Sequence, residues 1–233
     1  LGRHRQAGAR AAVVVHDPAI AGIATRDAVG GCPRPVRVDR EVREEAEGAV
    51  EAGVAGYNWR SGASVGDVNG DGWPDLFVAG YANLNAPLPD SGEGFPSNHA
   101  GVPDRLYLNQ GPDEDGRARF REVAALVGLD AAGADHGLGA AFTDVNRDGR
   151  IDLYVANDLD PNRLYVNVPS AGGLGFRFEE RGAAAGVADR NAGMGGSAAG
   201  YSGDGRDDLF VTNSLRQLHR VCESRRDGRF ADA

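Results

Sequence analysis

The chain has 233 residues, of which 35 are Gly and 11 are Pro, so its backbone must turn often; the glycines follow no three-residue period, which excludes collagen. With 34 Asp and Glu against 25 Lys and Arg, the formal charge of −9 argues against nucleic acid or membrane insertion, since anionic partners call for a basic surface. No apolar run approaches the length of a membrane-crossing helix.

Taken in chain order, residues 1–36 are rich in Arg, Ala and Gly and match nothing later, which reads as a disordered segment or a degenerate unit. Their apolar run, Ala11 to Val15, is too short for a signal-peptide core, and the first residue is Leu, which leaves room for a missing N-terminus. Cys32 pairs with Cys222 in one long-range disulfide, or the two are unrelated thiols; counting does not choose. From residue 37 to 233 the chain reads as repeats, and Glu51-Ala-Gly-Val54 looks like the tail of a preceding unit.

The first full unit opens with Gly62-Ala-Ser-Val-Gly-Asp-Val-Asn-Gly-Asp-Gly-Trp-Pro-Asp-Leu-Phe-Val-Ala-Gly80. The second, Gly139-Ala-Ala-Phe-Thr-Asp-Val-Asn-Arg-Asp-Gly-Arg-Ile-Asp-Leu-Tyr-Val-Ala-Asn157, repeats it, and a weaker third runs from Gly195 to Asn213. The flanks recur in the same order: Asp104-Arg-Leu-Tyr-Leu-Asn109 matches Asn162-Arg-Leu-Tyr-Val-Asn167, and Val127-Gly-Leu129 matches Ala185-Gly-Val187. Asp227-Gly-Arg-Phe230 reads as the start of a last strand. Each unit is four short strands: a small-residue strand suited to a narrow centre, a continuously apolar one buried on both faces, and two that alternate as half-buried strands do. The expected fold is therefore all-β, a β-propeller with three recognisable four-stranded blades and so a partial one; a sandwich would not explain the ordered repeat.

Between the first two strands of each unit lies D-x-N-x-D-G-x-x-D. Asp67, Asn69, Asp71 and Asp75 offer side-chain oxygens at positions 1, 3, 5 and 9, and the Trp73 carbonyl adds one at position 7. The second loop repeats this with Asp144, Asn146, Asp148, the Arg150 carbonyl and Asp152. Hard oxygen donors with three carboxylates suit Ca²⁺ rather than zinc or copper. Position 12 is Val78 or Val155 where an EF-hand needs Glu, so the ion would staple a β-hairpin. The third loop has Gly200 at position 1 and keeps Ser202, Asp204, the Arg206 carbonyl and Asp208, a set that predicts weaker binding.

These loops, with the D-L-F/Y-V-A and R-L-Y-x-N strands, resemble the FG-GAP/VCBS repeats of integrin α-subunit heads and of secreted bacterial proteins. The resemblance implies a propeller with Ca²⁺ in the acidic loops, extracellular placement, and a role in adhesion or recognition of a protein or carbohydrate ligand. Three units do not close a ring, so other copies or further blades are expected to complete it. The rival reading is a propeller-based polysaccharide lyase or hydrolase, for which no convergent set of catalytic groups is visible. Gly62-Ala-Ser-Val-Gly66 fits G-x-S-x-G literally but runs into the acidic loop instead of a helix, so Ser64 is not read as a nucleophile. The histidines, His136 among them, show no ligand spacing and read as surface or loop residues. The insert from Tyr81 to Pro103 is where a scaffold of this kind carries recognition, or it is an inert excursion.

Overall fold

A computed structural model describes residues 47–233 apart from 57, 91 and 215, so Cys32 and the segment 1–36 lie outside the described residues. The strands fall into three four-stranded antiparallel sheets, each in sequential order. The first holds β1 (Trp59–Gly66), β2 (Asp75–Ala82), β3 (Arg105–Pro112) and β4 (Ala118–Glu122). The second holds β5 (Gly137–Thr143), β6 (Asp152–Asn157), β7 (Arg163–Pro169) and β8 (Phe176–Glu180). The third holds β9 (Gly193–Ala199), β10 (Asp208–Asn213), β11 (Arg220–Ser224) and β12 (Phe230–Asp232). These are the blades of a partial propeller; they form no closed barrel.

The apolar second strands show why the sheets stack face to face. In β6, Leu153 and Val155 pack with Phe77, Ala79 and Leu106 of the first sheet, while Tyr154 and Ala156 pack with Leu209 and Val211 of the third. Because side chains alternate across a strand, a continuous apolar run serves two cores at once. Two third strands, β3 and β7, differ from their expected alternation, while β11 keeps partly exposed positions between its buried ones. Leu106 to Asn109 and Leu164 to Asn167 are buried without a break, because a strand in the interior of a blade is covered on both sides. The outermost strands β4 and β8 do keep exposed positions along their length.

The small-residue strands converge at the centre, β1 packing on β5 and β5 on β9. The approach is backbone to backbone: a Cβ added at Gly139 would lie 2.6 Å from the Gly195 Cα, and one at Gly62 would strike the Leu138 carbonyl oxygen. The first two units each end in one helical turn closed by a left-handed glycine, and a like turn precedes β1. Residues 47–52, Ala125–Val127 and Gly182–Ala185 are followed by Gly53, Gly128 and Gly186 at φ of 83°, 86° and 82°. The next N–H then folds back onto the turn, from Val54 to the Ala49 carbonyl at 3.0 Å, Leu129 to Ala124 at 3.0 Å and Val187 to Gly182 at 2.9 Å, which closes the turn as a Schellman cap does. Each glycine sits over the carbonyl oxygen of Phe120, Phe178 or Phe230, a residue in the outer strand of the sheet that follows. Residues 51–54 thus have the form of the other two tails.

Candidate metal centre

The acidic loops join β1 to β2, β5 to β6 and β9 to β10, all at one end of the blades. Their ninth positions do the same job three times. Asp75 Oδ2 accepts the Val68 N–H and its Oδ1 the Asn109 N–H, both at 2.9 Å. Asp152 accepts from Val145 at 3.0 Å and Asn167 at 2.8 Å; Asp208 accepts from Ser202 at 2.7 Å and Ser224 at 2.8 Å. All three carboxylates are fully buried, at 0% exposure. Each ties its own loop to the third strand of its sheet.

The first five positions wrap the loop around its side chains. Asp67 accepts the Gly70 and Asp71 N–H groups on Oδ1, at 2.8 and 3.1 Å, and the Gly72 N–H on Oδ2 at 2.8 Å. Asn69 Oδ1 accepts the Asp71 N–H at 3.1 Å and its amide donates to Asp71 Oδ2 at 2.8 Å, while Asp71 Oδ1 accepts the Trp73 N–H at 2.8 Å. The second loop matches: Asp144 accepts from Asp148 and Gly149, Asn146 from Asp148, and Asp148 from the Arg150 N–H. Glycines at positive φ, Gly72 at 89° and Gly149 at 81°, make the reversal. In the third loop only the Arg206 N–H bond to Asp204 Oδ1, at 2.9 Å, survives from this set, because Gly200 has no side chain to offer.

Among the described residues no three acidic or histidine side chains already converge as a closed ligand shell. The donor chemistry nevertheless fits a hard cation. A carboxylate oxygen has two lone pairs, and Asp75 and Asp152 spend one per oxygen on an N–H. Burial pushes the Asp152 carboxyl up to about 7, the Asn167 and Val145 N–H groups pull it down, and the Asp148 and Asp144 charges push it up further. Asp75 is raised for the same reasons, burial first and the Asp71 and Asp67 charges after its own N–H bonds. Asp208 goes the other way: burial raises it, but N–H groups of Ser202 and Ser224 outweigh that, with no acid at position 1 to oppose them. The first two loops therefore hold crowded negative charge, met in the second only by the Arg150 guanidinium on Asp148; the third holds less.

At the opposite end of the blades a second set recurs that the sequence reading passed over. The N–H groups of Gly80, Asn157 and Asn213 bond to Asp104 Oδ1 at 2.8 Å, Asn162 Oδ1 at 2.8 Å and His219 Nδ1 at 2.9 Å. All three acceptors sit just before an Arg that opens the third strand, which was the available signal. Here too the insert folds back, with Phe95 stacked on Trp59 at 5.5 Å and edge-on to Tyr81 at 5.6 Å. Trp59 and Phe95 stay 42% and 48% exposed. Tyr81 donates to Asp158 Oδ2 at 2.8 Å across to the second sheet. His136 corrects its surface reading: it is buried, with Nδ1 at 2.7 Å from Asp160 Oδ2 and Nε2 at 3.1 Å from the His99 carbonyl. Ser64 lies inside β1 and not on a strand-to-helix turn. Cys222 is buried in the core between the second and third sheets and has no disulfide partner among the described residues.

Residues 67–155 match the sequence model of the FG-GAP-like repeat family. Among curated proteins the chain is similar to cartilage acidic protein 1 of Mus musculus and of Homo sapiens, 33% identical over 129 residues in each case. The Xenopus tropicalis protein of the same name is 30% identical over 129 residues. The matched stretch is 55% of this chain but spans only 16% of the length of those relatives. The family match runs from Asp67 through both complete acidic loops to Val155, so this stretch is similar to FG-GAP-like repeats.

Proposed function

We propose that the chain is a calcium-stabilised β-propeller segment that acts outside the cell as a non-enzymatic recognition scaffold for a protein or carbohydrate. The observation that carries this reading is the pair of D-x-N-x-D-G-x-x-D loops, alike in geometry and at the same place in successive sheets. Each crowds two loop acids against a buried aspartate. Asp67, Asn69, Asp71, the Trp73 carbonyl and Asp75 would hold one ion; Asp144, Asn146, Asp148, the Arg150 carbonyl and Asp152 a second. The ion would add positive charge among three clustered carboxylates, locking the hairpin and its third strand together. Extracellular placement rests on the family resemblance and on similarity to proteins named for cartilage.

The recognition part of the proposal belongs to the end away from the loops. There the long insert after β2 holds the exposed Trp59–Phe95 stack beside Asp158 and Asp160 on a rigid frame. Exposed aromatic faces with hydrogen-bonding groups at their rim suit an amphipathic peptide or a sugar ring. Calorimetric titration of Ca²⁺ into EDTA-stripped protein tests the first part. Binding should appear at or below millimolar concentration and vanish in an Asp71→Ala/Asp148→Ala double variant; no heat at millimolar Ca²⁺ removes the calcium reading. For the second part, a ligand found on glycan or protein arrays should be lost from Phe95→Ala while its calcium titration is unchanged.

A further inference from the structure

Resting on the calcium reading above, we infer that the three loops are graded by a tethered counter-ion at position 7: the first binds Ca²⁺ most tightly, the second more weakly against its own arginine, and the third binds none. The side chain at that position is Trp73, Arg150 and Arg206 in turn. From Ser61 to Asp104 the sequence has no Lys or Arg at all, so nothing within the first loop neutralises Asp67, Asp71 and Asp75.

The second loop differs only in what surrounds the same ligands. The Arg150 guanidinium donates from Nη2 to Asp148 Oδ2, the carboxylate at position 5. Its Nε is held by the Asn167 carbonyl at 2.9 Å, so the side chain is fixed over the loop instead of sweeping through solvent. Arg147, at position 4, adds a second base where the first loop has Gly70. An incoming cation must displace the guanidinium from Asp148 and then share the loop with it.

In the third loop the substitution goes further. Position 1 is Gly200, which removes the carboxylate that wraps the other loops. Arg206 Nε stands 3.7 Å from Asp204 Oδ2, and Asp207 is turned away to accept the Thr143 hydroxyl at 2.6 Å on the second sheet. The arginine takes the role the ion has elsewhere, and the loop keeps its shape without metal.

Coulomb repulsion between a fixed guanidinium and a divalent ion about 6 Å away in a watery setting, partly screened by salt, weakens binding by about three- to tenfold. The test is Ca²⁺ calorimetry on the whole chain, with Arg150→Gln, which keeps a donor for the Asn167 carbonyl, and a Gly200→Asp/Ser202→Asn gain variant. Two sites of unequal affinity are expected, with the tighter lost in Asp71→Asn. Arg150→Gln should tighten the weaker site by about three- to tenfold, and the gain variant should add a third. Two equal sites, three sites in the unaltered chain, or an Arg150→Gln titration indistinguishable from the original overturns the grading while leaving calcium binding intact. No binding at any loop instead removes the calcium reading itself.

Discussion

At the scale of the residue, the aspartates divide into those that hold backbone and those that crowd one another. Asp104 belongs to the first kind. It is half-buried, accepts the Gly80 N–H, and burial pushes its carboxyl up to about 7, with the Asp135 charge adding to the push and Arg60 and Arg163 opposing it. A folded value above the ordinary carboxylate range means that the fold favours the proton. Its stabilising contribution is then complete below about pH 4 and is lost as pH rises through about 7. Part of the side chain stays in water, so we expect about 1–2 kcal/mol over that window and not the full linkage value. Asp104→Asn keeps the acceptor and should flatten this part of the stability–pH curve, measured by urea denaturation between pH 4 and 7.5 in EDTA. An unchanged slope would show that another group sets it.

At the scale of the element, each blade was readable because its signals are local. The apolar second strand, the acidic hairpin before it and the R-L-Y motif after it each identify themselves by composition and spacing. What escaped the sequence are features made by distant partners. The double acceptor role of Asp75 depends on Asn109, 34 residues on. The burial of His136 depends on Asp160 and on the insert's His99. The third strands were read as half-buried from their alternation, but the middles of β3 and β7 are covered on both faces. The central strands are different again: their glycines were legible as a small-residue pattern, and the structure supplies the reason. Gly139→Ala would force β5 and β9 apart and should cost about 2–3 kcal/mol. Gly172→Ala, in an open turn with no atom within 4 Å of the added carbon, is the control and should change stability little. Equal effects of the two would mean that the centre yields easily.

At the scale of the whole molecule, three blades share cores but do not share their stabilising devices equally. The first two sheets meet over a continuous apolar core, and Asn167 of the second donates to the Val68 carbonyl in the first sheet's acidic loop at 2.8 Å. Order at one loop is thereby felt in the next blade. If both complete loops bind, Ca²⁺ at about a hundredfold excess over each Kd adds about 2.7 kcal/mol per site. For a protein of this size that corresponds to a rise in Tm of about 10–20 °C over the EDTA-treated form. A differential scanning calorimetry trace unmoved by EDTA would contradict a structural role for the ion. The third sheet's outward positions, Phe210 and Val221, are half-buried where their counterparts Tyr154 and Leu164 in the second sheet are 1% exposed.

The three tail turns have a further consequence. Two of them follow the last strand of one unit, β4 or β8, and all three rest their glycine on the last strand of the sheet that comes next. The repeat is thus directional, the first and second blades each handing the next a fastening that the next does not make for itself. A duplication copying a blade together with its tail would arrive with its own latch, and lengthening such an array needs no new joint to be invented. Cutting the chain between tail and following strand would separate the latch from what it holds, whereas a cut just before the tail would leave the two together.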